Sequence, residues 1–341
     1  MQTYVYPTPI ELTEIDAIKL PMSMEGNLAF ELMPPKQVDG HILEWEQKDS
    51  ILGLMKVRGM DGEPGRVAPL GLGRFMMTPG VYGEFTEIKE WEITARRRVG
   101  SVNETMDITD LTLERGEQLL DRQNMRATKI IWDLLCYGLF SSTNEFGAVV
   151  HTDSYRQRIY TPTVAWTTQA TSTPLQDFRN VKLLARGYSV SFGSLADAIM
   201  NQVTFNAFIA NTNANDLAGR RTQGLGSVLS LELANALLLG EDLPRIRICE
   251  DFFLDDAAGN SGNFVMFIPN GVVIVVGKRA RGVVIGDWAW TRNANNPGSA
   301  PGPYVWVYET PKPPRKVEVH RGFNGGTRLY FPSAVIVMKV F

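Results

Sequence analysis

The sequence predicts an α+β fold, with helices and strands in irregular order rather than the strict alternation of a doubly wound sheet. Three features predict it. Leu43 and Trp45 alternate with Glu44 and Glu46, and Trp91 and Ile93 with Glu90, Glu92 and Thr94, the two-residue period of strands with one apolar side. A helical period runs from about Ile108 to Phe140, with Leu120, Ala127, Ile131, Leu134, Leu135 and Gly138 on one face. From Ile246 onward, short apolar runs are bounded by turn residues, as in strands.

Residues 45–98 read as a long two-stranded arm. Between its strand-like ends lie Gly53, Gly59, Gly62, Gly65, Gly71, Gly73, Gly80 and Gly83 with Pro64, Pro69 and Pro79, and Asp61-Gly62 supplies a hairpin signal near the tip. A disordered surface insertion is the alternative. Disordered segments are poor in large apolar residues, yet this one carries Leu52, Leu54, Met55, Val57, Leu70, Leu72, Phe75 and Met76. An isolated hairpin is marginally stable in water, so an arm with no core of its own is expected to be ordered by another subunit.

The helix over 108–140 takes Thr109 or Asp110 as its cap and spans roughly 50 Å at 1.5 Å per residue. Gly116 weakens it locally, by about 1 kcal/mol against alanine. Strands follow at Val149, Val150, Ile159, Tyr160, Val164 and Trp166, then a polar linker, Thr167 to Ser172. Thr173-Pro174-Leu175-Gln176 opens a helix with a Thr cap, a proline at its first position and Gln three residues after the cap, and Gly187 is placed to end it. Ala196 to Met200 reads as a strand, with Asn201 capping a helix through Ile209. Asn211 to Gly226 reads as a polar loop holding Arg220 and Arg221, and Leu231 to Leu239 as a helix stopped by Gly240. Strands at Ile246 to Cys249, Phe264 to Ile268 and Val272 to Val276 are separated by turns at Asp255 to Gly262 and Pro269-Asn270-Gly271. Tyr304 to Phe341 holds two long strand-like runs separated by Gly322 to Gly326, and no internal repeat is visible.

Composition narrows the function. At 341 residues the chain has room for two domains, and a formal charge of −3 lacks the basic excess that drives nonspecific binding to DNA or membranes. Met1 to Pro9 shows no secretory signal, and no run of about twenty apolar residues could cross a bilayer, so a soluble protein made in a cytoplasm is expected. Cys136 and Cys249, each inside an apolar stretch, form no disulfide framework, and Cys136, among Ile130, Ile131, Leu134, Leu135 and Leu139, reads as a small buried hydrophobe.

Nothing in the sequence spells catalysis. His41, His151 and His320 have no metal-ligand spacing and read as solvated or locally bonded. Gly271 to Lys278 differs from a phosphate loop in having five residues between its glycines and Arg279 in place of Ser or Thr. Gly224-Leu225-Gly226 lacks the third glycine of a dinucleotide fingerprint. Asp251, Asp255, Asp256 and Asn260 miss the alternate-position spacing of a calcium loop and read as a turn. No catalytic residue, cofactor or metal is assigned.

Three basic clusters remain: Arg96-Arg97-Arg98, Arg220-Arg221 and Lys278-Arg279-Ala280-Arg281. Each is either a solvated face or an intersubunit partner for acids such as Glu84, Glu87, Glu90 or Asp107, since Arg makes bidentate contacts with carboxylates. The candidate intersubunit contacts are therefore Trp45, Asp61, Gly62, Phe75, Glu84, Glu87, Trp91, Arg96, Arg97, Arg98, Arg220, Arg221, Arg279 and Arg281.

In this order of parts the chain resembles the major capsid proteins of tailed bacteriophages, in particular the capsid protein E family of lambda-like phages. The resemblance rests on an extended N-terminal stretch to about Gly40, an arm ending near Arg98, the long helix from Ile108, the Thr173-Pro174 helix and the Ala196 to Asn201 strand leading into a helix. The tail segments FVMFIPNGVVIVVGKRARGVVIGDW, TRNANNPGSAPGPYVWVYE and YFPSAVIVMKVF add to it. The resemblance implies the capsid fold shared with encapsulins and herpesvirus capsid floors. It divides the chain into an N-terminal arm (1–44), an extended β-arm or E-loop (45–98), a peripheral domain with a spine helix (99–170 and 315–341) and an axial domain (171–314), with 211–226 as a candidate central loop.

The implied function is a shell of hexamers and pentamers around double-stranded DNA, bound without sequence specificity and with no membrane, assembled in the host cytoplasm. About forty residues precede the arm, so a separate scaffolding protein is expected, with a portal and, as a further candidate, a decoration protein. Lys48, Lys56 and Lys89 lie in the arm, but no residue establishes Lys-Asn cross-linking, and noncovalent locking is expected. An encapsulin-like compartment enclosing cargo enzymes is the alternative.

Overall fold

A computed structural model of the chain describes residues 27–47, 54–55, 57–58, 60, 63, 73–95, 107–143, 148–186, 188, 190–212, 214, 230–255, 263–279, 284–310 and 312–341. From the N-terminal side come α1 (Leu28–Leu32), β1 (Pro35–Gln37), β2 (Leu43–Gln47), β3 (Gly73–Met77), β4 (Gly80–Lys89), α2 (Glu90–Ala95) and α3 (Ile108–Tyr137). The middle of the chain contributes β5 (Leu139–Thr143), β6 (Val149–Ser154), β7 (Arg158–Tyr160), α4 (Pro174–Leu184), β8 (Val190–Ser191), β9 (Asp197–Met200), α5 (Gln202–Ile209) and α6 (Leu231–Gly240). Then follow β10 (Arg245–Ile248), β11 (Phe252–Asp255), β12 (Asn263–Met266), β13 (Val272–Val276), β14 (Lys278–Arg279), β15 (Gly286–Trp290), β16 (Tyr304–Thr310), β17 (Lys316–Leu329) and β18 (Val335–Lys339). This is the expected α+β order.

Two five-stranded sheets organise the chain. In the first, β17 is the spine. One of its edges takes β4, antiparallel from Lys316 opposite Lys89 to Gly325 opposite Gly80. The other edge takes β16 and then β15, and β1 adds a parallel strand outside β15. The second sheet runs β10-β9-β13-β18-β7, with β18 joining β13 on one side and β7 on the other. All five residues of β13 are buried, which explains a run of valine and isoleucine with no polar alternation. Trp132, Trp166, Trp288, Phe178, Phe192 and Phe208 are the largest fully buried side chains of the main core.

The helix α3 spans about 45 Å at 1.5 Å per residue. Its cap is Asp107, with extended backbone and a carboxylate that accepts from the Ile108 N–H at 2.7 Å, not the expected Thr109 or Asp110. It ends at Tyr137 because Gly138 takes the left-handed conformation (φ 71°), which puts Phe140 in β5 rather than in the helix. Asn201 caps α5 as expected, its side-chain oxygen accepting from the Thr204 N–H at 2.8 Å, and Gly271 makes the expected turn with φ 75°.

Other expectations are corrected. Trp91 and Ile93 lie on α2, not on a strand: the ladder with β17 ends at Lys89, and Glu90 and Glu92 then suit the positive end of a helix, with the Thr94 hydroxyl donating to the Glu90 carbonyl at 2.8 Å. Gly322 to Gly326 lie inside β17 instead of dividing two strands. A Cβ on Gly325 would stand 2.7 Å from the Ala289 carbonyl oxygen, and one on Gly322 would strike the Tyr82 carbonyl, so glycine lets β17 lie close to both flanking strands. Val164 and Trp166 are outside any strand, and Trp166 is instead buried with its indole N–H donating to Asp177 at 2.8 Å. Pro174 opens α4, but the Thr173 hydroxyl makes no capping bond and the helix closes at Ala185. Gly240 is the last residue of α6, which closes at Glu241. Gly187, residues 256–262 and most of 211–226 lie outside the described residues.

Candidate assembly surface

The arm has a root and an exposed extension. Strands β2 and β3 pair antiparallel, Leu43 opposite Met77 and Trp45 opposite Phe75. Leu43, Trp45 and Met77 are buried with Ala289 of β15, and the Trp45 indole donates to the Leu329 carbonyl at 3.0 Å. The root therefore lies on this chain's own first sheet, which corrects the expectation of an arm without a core. Phe75 stacks on Trp45 at 6.1 Å and remains partly exposed.

Beyond the root the balance reverses. Leu54, Met55, Val57 and Met60 are 94 to 100% exposed. Burying a side chain of this kind is favourable by about 1.5–3 kcal/mol, and none of that is gained within this chain.

Two further apolar surfaces accompany the arm. Strand β4 pairs with β17 alone among the described residues, leaving one backbone edge open, and Val81 and Phe85 on it are exposed. In the ribbon of β11 and β12, Phe253 packs toward the core at 5.1 Å from Phe267, while Phe252, Leu254 and Phe264 are exposed on the opposite face, with Phe252 and Phe264 in edge contact at 5.3 Å.

Of the charged candidates, Glu84 and Glu87 make contacts within the chain. Arg122 of α3 holds Glu84 through two N–H groups, one of them at 3.0 Å, and Lys316 reaches Glu87 at 3.3 Å. Asp107 is engaged as a helix cap, whereas Glu90 and Trp91 are exposed on α2. Arg279 lies in β14, its backbone opposite Val190. Asp61, Gly62, Arg96, Arg97, Arg98, Arg220, Arg221 and Arg281 lie outside the described residues.

Sequence reasoning missed a buried ion pair near the root. Arg328 donates to both Asp287 oxygens, at 2.7 and 2.6 Å, and the Tyr330 hydroxyl donates to the same carboxylate at 2.6 Å. Asp287 and Arg328 stand directly opposite each other on β15 and β17. The available signal was one acid in GVVIGDWAW and one base in TRLYF, single charges inside apolar runs.

Among the described residues no group of three or more His, Cys, Asp or Glu could hold a metal, and no helix is long and apolar enough to cross a membrane. His151 is buried and not solvated, sharing a hydrogen bond of 2.8 Å with the Tyr82 hydroxyl. Both cysteines are buried and free, and burial pushes the Cys249 thiol up to about 12 and Cys136 higher still, which keeps them protonated and unreactive.

No family model matches the chain, and no curated protein matches its sequence. Solved structures do. A chain from Escherichia coli CFT073 assigned as a prophage capsid protein superposes on 79% of this chain and 80% of its own length, with a TM-score of 0.54 at 13% identity. The chain has the fold of that capsid protein. The chain also superposes on a phage-related protein from Bordetella bronchiseptica RB50, over 99% of this chain and 98% of that one, with a TM-score of 0.51 at 11% identity. The capsid of a native GTA particle matches 92% of this chain and 89% of its own, with a TM-score of 0.50 at 10% identity. With no family model behind it, the narrower link to capsid protein E stays a resemblance of sequence texture.

Proposed function

We propose that this chain is the major capsid protein of a tailed bacteriophage, assembling into the hexamers and pentamers of an icosahedral shell that encloses double-stranded DNA. The observation that carries the reading is an arm rooted on its own sheet by Trp45 yet bearing Leu54, Met55, Val57 and Met60 in full exposure, on a chain with a capsid fold. Such residues supply part of the apolar area of an obligate contact, which typically buries about 2,000–5,000 Å² in all, and repeated head-to-tail contacts close into rings.

In this reading residues 1–44 are an N-terminal arm, 45–98 the E-loop, 99–170 with 315–341 the peripheral domain around α3, and 171–314 the axial domain. Trp45 and Phe75 set the direction of the E-loop. Trp91 and the basic clusters at 96–98, 220–221 and 279–281 meet neighbouring copies. A scaffolding protein and a portal take part in assembly, and a decoration protein is a further candidate. With a net charge of −3, the shell holds DNA without sequence-specific contacts. The role is structural, not catalytic, and its place is the virion after assembly in the host cytoplasm.

Electron microscopy of the chain expressed with its scaffold tests this. Closed icosahedral shells, containing genome-length DNA when taken from infected cells and giving monomer on a denaturing gel, are expected. A captured enzyme in place of DNA would make the shell a cargo compartment, and a discrete low-mass oligomer would refute shell formation.

A further inference from the structure

Two sheet edges of this chain are finished differently. On the second sheet the edge strand β10 is closed by a side chain of α6: Asn235 donates to the Ile246 carbonyl at 3.1 Å and accepts from the Ile246 N–H at 2.7 Å, the two bonds that a further strand would make. On the first sheet β4 is ten residues long, pairs with β17 along one edge, and among the described residues takes neither a strand nor a side chain along the other. It holds no proline, and its register with β17 runs without a bulge from Lys89 to Gly80, so nothing turns the free edge away from another strand.

The side chains of β4 alternate between two faces. Tyr82, Glu84, Thr86 and Ile88 share the face toward α3, where Ile88 is buried with Leu111 and Leu119 and Glu84 accepts from Arg122. Val81, Gly83, Phe85, Glu87 and Lys89 share the other. There Phe85 stacks on His320 of β17, ring centroids 5.0 Å apart, yet stays 56% exposed, and Val81 is 64% exposed. Phe85 is also the midpoint of the run from Val81 to Lys89. A second β4 laid antiparallel along this edge, with Phe85 facing Phe85, therefore uses the whole of that run. It sets Glu87 against Gly83, Lys89 against Val81, Glu84 against Thr86 and Tyr82 against Ile88, so no like charges stand directly opposite. The two Glu84 carboxylates become diagonal neighbours, and each already accepts from Arg122 of its own chain.

We propose that the free edge of β4 is a two-fold contact, pairing antiparallel with β4 of a second copy to make one continuous sheet across both chains. The inference rests on the shell reading and adds to it: head-to-tail contacts are used up when a ring closes, so joining one ring to another takes a separate surface that can meet itself.

Particles of Phe85→Cys are oxidised with copper phenanthroline and run on a non-reducing denaturing gel. Each introduced cysteine faces its own counterpart, so most chains should run as dimer, while the natural chain, whose Cys136 and Cys249 are buried, should stay monomer. Val81→Cys is equally open to solvent but stands about 26 Å from its counterpart at 3.3 Å per residue, and should stay monomer. Phe85→Lys sets two ammonium groups against each other at an exposed position, so it should fold normally and leave rings unjoined in the electron microscope. Closed shells in which Phe85→Cys stays monomeric, equal dimer from Val81→Cys, or normal shells from Phe85→Lys would each overturn the pairing and leave the shell reading intact. Failure of the natural chain to form any shell would overturn the shell reading and the ring-joining role with it, and the Phe85→Cys cross-link on the unassembled chain then decides whether β4 pairs with β4.

Discussion

The indole of Trp45 donates to the carbonyl of Leu329 across 284 residues of sequence, at 3.0 Å. The bond fastens the root of the arm to the end of β17, one residue from the Arg328–Asp287 pair that joins β17 to β15. The direction in which the arm leaves the body is thus set by two strands of the first sheet. Trp45→Phe keeps most of the buried ring and loses the donor, and should cost about 1 kcal/mol. Trp45→Ala also opens a cavity among Leu43, Met77 and Ala289 and should cost about 3–5 kcal/mol. Urea denaturation of the unassembled chain measures both. Equal midpoints for the two variants would show that the root is not packed as described.

Arg328→Met leaves the Asp287 carboxylate buried with only the Tyr330 hydroxyl as a side-chain donor. Removing one partner of a buried pair costs about 3–5 kcal/mol, whereas replacing both by apolar groups of similar volume is often neutral. The double variant Asp287→Leu, Arg328→Met should therefore recover most of the stability that the single variant loses. Additive losses in a double-mutant cycle would contradict this account.

Adjacent glycines of β17 should behave differently. Gly325→Ala puts a methyl 2.7 Å from the Ala289 carbonyl oxygen, where backbone must shift, at a cost of about 1–3 kcal/mol. Gly326→Ala meets the terminal methyl of Met77, which can turn aside, so its melting temperature should stay near that of the natural chain. The reverse order would mean that the strands are not held at this spacing.

This glycine run shows where sequence reading reached its limit. Local signals were legible: the Asn201 cap, the turn at Gly271, the long amphipathic period of α3 and the alternation in β2 all act within a few residues. A run of glycines reads locally as a break, and only the presence of β15 and β4 on either edge turns it into the middle of a strand. The same holds for α2, where alternation looked like a strand because the end of the β17 ladder could not be seen. The ion pair of Asp287 and Arg328 depends on a register between segments 41 residues apart. For the assembly surface, the arm and its apolar content were legible, but its anchorage through Trp45 was not, since the receiving carbonyl is a backbone atom with no sequence signature.

Stability against pH should expose two opposed groups on one strand. His151 and Asp153 are the two buried residues of β6. Burial lowers His151 from 6.5 to about 4 and raises Asp153 from 3.8 to about 6. Between about pH 4 and 6.5 the unfolded chain holds the histidine proton and the folded chain does not, so this group makes stability rise with pH. From pH 3.8 to about 6 the folded chain holds the Asp153 proton and the unfolded chain does not, so this group makes stability fall with pH. The two contributions nearly cancel around pH 5. Asp153→Asn should leave a steeper rise than the natural chain, and His151→Gln a fall relative to it, each by up to about 1.4 kcal/mol per pH unit. Identical pH profiles for all three proteins would refute the burial of these groups.

The arm offers the sharpest separation between folding and assembly. Leu54, Met55, Val57 and Met60 are almost wholly exposed, so replacing all four with serine removes nothing that the isolated chain buries. Surface substitutions of this kind change stability by no more than about 0.5 kcal/mol each. If a neighbouring copy covers these side chains in the shell, the loss is about 1.5–3 kcal/mol for each one buried, repeated at every contact. Such a sum exceeds what most weak contacts between copies could supply. The quadruple variant should therefore unfold at nearly the natural urea midpoint while sedimenting as unassembled protein under conditions where the natural chain forms particles. Particles of normal yield would show that the exposed arm is not what joins the copies, and a large fall in the urea midpoint would show that the arm folds back upon its own body.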